Sequence, residues 1–556
     1  MGLIDPSPLP YDPLEWLKRP LSERGRMVCE AWARDGYGTP TAVHFAYLIK
    51  IGLYVAGWVL ACSFSPSLGG PFDIASWWLN PLAFQKAIVF SLLFEVLGLG
   101  CGSGPLTGRY LPPVGGVLYW LRPGTTKRPL FAGVPVIGAR TRSWLDVSLY
   151  AGLMVASVYA LVSPTLGVAQ LLPLAILVPV LGVLDRTLFL AARSEHYWVS
   201  LVVFLLADPW IAGAQAVQLA LWFFAGFSKL NHHFPSVVCV MVSNGPLTRF
   251  GWMRRAMYRH FPDDLRPSRL ATWLAHGGTA LEMAVPVAFL FTPLGDVPYV
   301  ALGLMLALHL YILSSVPAGV PLEWNVLVVY GGFALFFAHP DIGLSALVAS
   351  SSLGSWGALA FVAFAAVVVP IVGNLFPTRV SFLLAMRYYA GNWPYGVWLF
   401  RGDARAKLDR LVTSAPWMET QLAPFYDRAT AVGLIGKVMG FRLMHLHGRA
   451  LARLIPKTVD RLRDYEWVDG ELIGGFVLGW NFGDGHLHNE GLLEAVQAQC
   501  GFEPGELRCV FVEPQPMFQG TQRYRIRDAA TGLLEQGELS VAELRATQPW
   551  SALSDR

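Results

Sequence analysis

Ten apolar runs, separated by polar or Gly/Pro-rich breaks, fill residues 42–376. They constrain the fold more than any other feature of the chain. About 20 apolar residues make a helix that crosses a bilayer. The runs lie near 42–64, 81–99, 145–162, 168–184, 197–207, 219–246, 271–291, 299–315, 324–337 and 359–376. Composition agrees: only 14% of residues are charged, against about 25% in a soluble globular chain. The expected fold class is an all-α polytopic membrane bundle of about ten transmembrane helices, with a small C-terminal α+β soluble domain.

Basic residues suggest the orientation, because cytoplasmic loops collect Lys and Arg. With the N-terminus inside, ten spans put the Arg109–Arg142 loop, the Arg186–Arg193 turn, the Arg249–Arg269 loop and the C-terminus in the cytoplasm. Those segments hold most of the loop arginines. The expected location is therefore the cell membrane, multi-pass, with both termini cytoplasmic. The six cysteines have no CxxC or ligand-like spacing and read as free thiols. The first residues lack an apolar core behind a basic start, so they do not read as a signal peptide.

Four regions follow from these patterns. Residues 1–41 form a cytoplasmic or interfacial segment, where Trp16, Trp32 and several basic residues suit a helix lying on an anionic leaflet. Residues 42–376 are the transmembrane domain. Residues 377–402 are aromatic and basic, like a segment resting on the membrane. Residues 403–556 are the soluble domain. In that domain Ala404–Leu411 and Tyr426–Leu454 read as helical and ELIGGFVLGWNF as a strand. GLLEAVQAQC reads as a helix. ELRCVFVEPQPM and TQRYRIRDAATGLLEQGELS read as strands, the latter turning at Ala529–Gly532.

Ionisable residues at membrane depth are costly, so they raise functional hypotheses. The sixth run, LALWFFAGFSKLNHHFPSVVCVMVSNGP, packs Lys229, Asn231, His232 and His233 into five positions. A desolvated lysine loses its charge more easily and serves as a base near neutral pH. The bland alternative is a lysine that snorkels to the headgroups. Glu95, His276, Glu282 and His309 lie within other runs. His276 and Glu282 are six positions apart and do not share a helical face. His309 is expected to face the interior, as a proton relay or as a hydrogen-bonded staple between helices. Glu323 and Asn325 line the same interior or anchor a helix start.

Two loops carry further candidates. In GWNFGDGHLHNEG, Asp484, His486, His488 and Glu490 alternate, so on a strand they would share one side and suit a metal. The glycines favour a plain turn instead. A second H-x-H, His445 and His447, lies upstream. In GCGSGPLTGRY, repeated glycines with Arg109 suit an anion, although the GK[ST] ending of a phosphate loop is missing.

The segment FFAGFSKLNHHFP resembles the HTTM family, the membrane domain shared with vitamin K-dependent γ-carboxylases. The pattern falls on Phe223, Phe224, Ala225, Gly226, Lys229 and Leu230. A later histidine before a Gly/Pro-broken turn resembles His309 and SSVPAGVPLEWN. The likeness covers residues 194–376. It implies that Lys229 is a base acting on a reduced quinone. The double histidine departs from the pattern, and the C-terminal domain is much smaller than the carboxylase's lumenal portion. The whole-chain layout also resembles a large, uncharacterised family of bacterial, mainly actinobacterial, transmembrane proteins.

These readings give a membrane enzyme acting on a lipid-like or quinone-like substrate. Lys229 is the expected base, with His232 and His309 assisting. His276, Glu282, Asn231 and Arg109 are the expected substrate contacts, and His486, His488 and Asp484 the candidate metal ligands. The expected partners are the bilayer and a lipid- or quinone-like small molecule, with no nucleic acid; no cofactor is assigned. The alternatives are a transporter, a membrane scaffold or a lipid-binding assembly factor. The absence of two similar halves disfavours transport.

Overall fold

The computed structural model describes residues 2–100, 116–290, 297–314, 321–350, 352–480 and 484–553. An N-terminal helix, α1 (Leu21–Asp35), precedes the apolar series. That series begins with α2 (Thr41–Ser63), α3 (Pro81–Val96), α4 (Trp144–Val162), α5 (Val168–Leu184) and α6 (Tyr197–Leu206). It continues with α7 (Trp210–Phe227), α8 (Phe234–Asn244), α9 (Arg269–Leu290), α10 (Val297–Ser314), α11 (Leu322–Gly331) and α12 (Leu353–Leu375). Among the described residues, four helices are long and apolar enough to cross a membrane: α2, α4, α7 and α12. Ten runs are helical, but most of them are shorter or more polar than that.

The sixth run is two helices, not one. Between α7 and α8 the Asn231 amide donates to the Ser228 carbonyl at 2.5 Å, and its Oδ1 accepts from the His233 N–H at 2.7 Å. A short polar side chain that bonds nearby backbone competes with helix continuation. Pro235 follows and sets the start of α8. Lys229 through His233 therefore form a corner.

Polar side chains hold the bundle at points the sequence reading passed over. Lys86 of α3 is fully buried and donates to Ala61 O at 2.8 Å and Leu161 O at 2.9 Å. These carbonyls belong to the last turns of α2 and α4, where the helix dipole is negative and a cation is favoured. After Gly331, α11 continues as a π-helical turn, Gly332–Phe337. Gln215 of α7 donates to Leu335 O at 2.8 Å, and Gln218 to Val328 O at 2.9 Å.

The C-terminal part is an α+β layer. Its five strands are β3 (Tyr395–Arg401), β4 (Tyr465–Asp469), β5 (Leu507–Val512), β6 (Thr521–Asp528) and β7 (Gly532–Ser540). They pair antiparallel in the order β4-β3-β5-β6-β7. A separate hairpin, β1 (Tyr258–His260) with β2 (Asp264–Pro267), lies in the loop before α9. Helices α13 (Arg428–Met444), α14 (Leu446–Thr458), α15 (Gly470–Leu478), α16 (Glu490–Cys500) and α17 (Val541–Ala546) accompany the sheet.

Two expectations fail here. Residues 377–402 are not simply a surface segment, because Tyr395–Phe400 are buried and form an inner strand. ELIGGFVLGW is not a strand, and the Asn481 and Phe482 that follow lie outside the described residues. Asp469 accepts from Glu471 N at 2.8 Å and caps α15, and Gly479, at φ +80°, ends it.

Both chain ends and the basic loops meet at one end of the bundle. Trp16 and Trp32 are buried against α13, not spread on a leaflet. The Trp32 ring lies 5.3 Å from that of Phe441, and a Cβ on Gly440 would come 2.8 Å from Val28 O. In the loop before α4, Tyr119 donates to Val412 O at 3.0 Å, Trp120 to Leu478 O at 2.9 Å, and Arg140 pairs with Glu494 at 2.8 Å. In the hairpin loop, Leu265 N donates to the Gln548 side chain at 3.1 Å. Arg128 and Arg266 dock the C-terminal domain as Arg140 does, donating to Asn489 Oδ1 at 3.0 Å and to Ala546 O at 2.8 Å.

Candidate functional site at the corner between α7 and α8

Lys229 sits just past the last turn of α7, and its Nζ donates to both carboxylate oxygens of Glu282 on α9 at 2.5 Å. The side chains are 6% and 8% exposed. The Phe234 ring lies 5.1 Å from the ammonium. Gly226, one turn earlier, brings the helices together: a Cβ there would lie 2.8 Å from Met283 Cγ and 2.9 Å from Glu282 Cβ. The FFAGFSKL segment is thus a close-packing face followed by the cation that α9 neutralises. Lys229 is not a snorkelling anchor.

His309 of α10 is held from both sides. Trp222 Nε1 donates to its Nε2 at 2.9 Å, and its Nδ1 lies 2.9 Å from Asn325 Oδ1. Asn325 in turn donates to Pro321 O at 2.7 Å. This pattern assigns the neutral Nδ1–H tautomer. Three consecutive residues opening α11 make buried polar contacts. Glu323 pairs with Lys50 at 2.6 Å, Trp324 donates to His196 Nδ1 at 3.1 Å, and Asn325 holds His309. Arg193 pairs with Glu195 at 3.0 Å and lies 5.0 Å from the Trp324 ring, and Tyr388 donates to Glu195 at 3.0 Å. Read from sequence, Arg193 was part of a charged turn; it is instead fully buried. Its proximity to two other ionisable residues in RSEH was the available signal.

The remaining candidates disperse. Asn231 builds the corner. His232 is exposed and accepts from Arg545 Nη1 at 3.2 Å. Partial burial, then Arg545, push its imidazole below the ordinary value. His276 is exposed on α9, away from Glu282. Arg109 and the glycine-rich loop around it lie outside the described residues.

The Asp484–Glu490 segment is a turn rather than a strand, so its side chains do not share a face. Asp484 Oδ1 accepts from His486 N at 3.1 Å, which folds the chain back. His486 Nε2 then lies 3.2 Å from Glu513, while His488 faces the Tyr395 ring at 5.7 Å. Among the described residues no three His, Cys, Asp or Glu side chains are placed to hold a metal ion.

A different histidine group forms where the corner meets the C-terminal domain. His445 and His447 stack with ring centroids 5.2 Å apart, His447 lies 4.9 Å from Tyr395, and His233 Nε2 lies 3.0 Å from Gln515 Oε1. Burial pushes His233, His445 and His488 down to about 3 and His447 well below its ordinary value. Beside them Arg442 pairs with Asp469 at 2.8 Å and with Glu471. The H-x-H spacing marked two of these residues, but their convergence with His233 is tertiary.

No curated protein and no solved structure matches the chain. One family model does, over residues 1–555, and it does not carry the carboxylase-like resemblance. That match spans the apolar helices, the corner and the C-terminal sheet together. The chain therefore belongs to the family described as transmembrane protein of unknown function (DUF3556).

Proposed function

We propose that this membrane protein is an enzyme acting on a lipid-like substrate at the end of the bundle, with Lys229 and Glu282 as its proton-transfer pair. The observation that carries this is the bidentate 2.5 Å contact buried at the corner. A general base needs a free lone pair. Lys229 is engaged as the cation of an ion pair, so its amine becomes free when its proton moves to Glu282. That shift turns ammonium and carboxylate into amine and carboxylic acid. The amine then accepts a substrate proton, and the acid returns one. His232 and Asn231 sit at the open side of the corner as substrate contacts; His309 is a positioning residue. The quinone-like substrate and the cytoplasmic placing of this end rest on the HTTM likeness and the basic loops. A scaffold is the second reading, favoured by His309, whose two nitrogens are both engaged within the bundle.

The test is native mass spectrometry with lipid extraction on protein in mild detergent, comparing wild type, Lys229→Met and Glu282→Gln. The expected result is a co-purifying lipid-like species whose mass differs between wild type and both variants, as unprocessed substrate accumulates. Identical extracts from all three folded proteins would refute the enzymatic reading and leave the pair as a clamp in a scaffold.

A further inference from the structure

Next to the corner lies a cavity of about 320 Å³ among α8, the β1–β2 hairpin, the first turn of α9, α14 and α17. Its ionisable lining residues are His232, Arg259, Arg266, Arg449 and Arg545, and among the described residues no acidic one lines it. Arg266 is neutralised by Asp264, to which it donates at 2.9 Å and 3.1 Å. Arg545 meets His232. Arg259 is exposed at the rim. Arg449 is 1% exposed. Its Nη1 donates to Thr547 O at 3.1 Å, while Nε and Nη2 have no partner among the described residues. Burial pushes its guanidinium down to about 10, so it stays charged at neutral pH.

A buried guanidinium with two idle donors and no ion-pair partner is costly unless an anion reaches it; the nearby Asp264 carboxylate is already held by Arg266. Planar N–H donors match the oxygens of a phosphate, often two at a time. The volume is at the lower end of the ~300–1,000 Å³ of ligand pockets, which suits a headgroup rather than a whole lipid. We infer that this cavity is a binding site for a phosphate or diphosphate group, held by Arg449 from within and by Arg545 and Arg259 from the rim. The cavity borders apolar helices on one side and the C-terminal domain on the other. Either a phospholipid headgroup or a soluble phosphorylated compound can therefore present the group. Its chemistry does not depend on Lys229 or Glu282.

The test uses the full chain, wild type beside Arg449→Gln, Arg545→Gln and Arg259→Gln. The last two replace exposed residues and protect the experiment if Arg449→Gln misfolds. One arm measures thermal stabilisation in detergent by inorganic phosphate and diphosphate, with chloride at matched ionic strength as control. The other measures retained lipid by native mass spectrometry from nanodiscs of phosphatidylcholine with or without phosphatidic acid. We expect wild type to bind at least one probe and the rim variants to bind it about ten-fold more weakly. Binding of the soluble probes alone assigns a soluble phosphorylated ligand; retention of phosphatidic acid alone assigns a lipid headgroup. No binding in either arm, or equal binding by wild type and both rim variants, overturns the site.

Discussion

Removing one member of the Lys229–Glu282 pair and then both is the sharpest test of the corner. With side chains 6% and 8% exposed, solvent screens neither charge. Lys229→Met leaves the Glu282 carboxylate without its cation; Glu282→Leu leaves the ammonium, 5.1 Å from the Phe234 ring, without its anion. Breaking a buried pair from one side costs about 3–5 kcal/mol, whereas replacing both partners by apolar residues of similar volume is about neutral. Each single variant is therefore expected to lose about 3 kcal/mol or more. The double variant should lie within about 1 kcal/mol of wild type, giving a coupling of about 5 kcal/mol or more, above the ~0.5–3 kcal/mol usual for contacting residues because each single strands a buried charge. The assay is reversible unfolding in mixed micelles, titrated with SDS and followed by tryptophan fluorescence. Additive losses, with the double variant no more stable than the sum of the singles, would show that the two groups do not meet as described. Single variants as stable as wild type would show that the site is wet.

Two further outcomes follow from the same geometry. Gly226→Ala places a methyl against Met283 Cγ at 2.8 Å and Met283 N at 3.1 Å, so α7 and α9 must part; a loss of about 1–3 kcal/mol is expected, and an unchanged melting temperature would contradict the close approach. The buried histidines give an acid-sensitive C-terminal domain: His233, His445 and His488 titrate near 3 when folded and near 6.5 when unfolded. The unfolded chain therefore takes up protons first as pH falls. Stability is complete above pH 6.5 and declines below it by up to about 1.4 kcal/mol per pH unit for each histidine. Unfolding midpoints that stay flat from pH 7 to pH 5 would contradict this.

The apolar runs were legible as helices because burying a run needs only composition. What a polar residue meets inside the bundle was not legible. Glu282 was marked as a candidate, but its partner lies 53 residues away in sequence, and no spacing rule connects two helices. ELIGGFVLGWNF was misread because a short apolar run suits a buried strand or a buried helix equally. The deciding signal was Asp469, two residues before it, a capping residue that also ends β4. TQRYRIRD was read correctly as a strand, since β6 buries Tyr524 and Ile526 between an exposed Arg523 and the half-buried Arg525 and Arg527. The basic pocket was invisible because its arginines come from a hairpin and two separate helices.

The seam between α1 and α13 bears on how the chain is assembled. Lys437 donates at 3.0 Å to Tyr37 O, 400 positions earlier in the sequence. Helix α1 thus waits, with its apolar residues uncovered, until the apolar series and α13 have been made. Closure of that seam therefore follows synthesis of the whole apolar series. A chain stalled or cut short before Arg428 keeps Trp16 and Trp32 exposed, which marks it as unfinished to any quality-control factor that binds apolar surface.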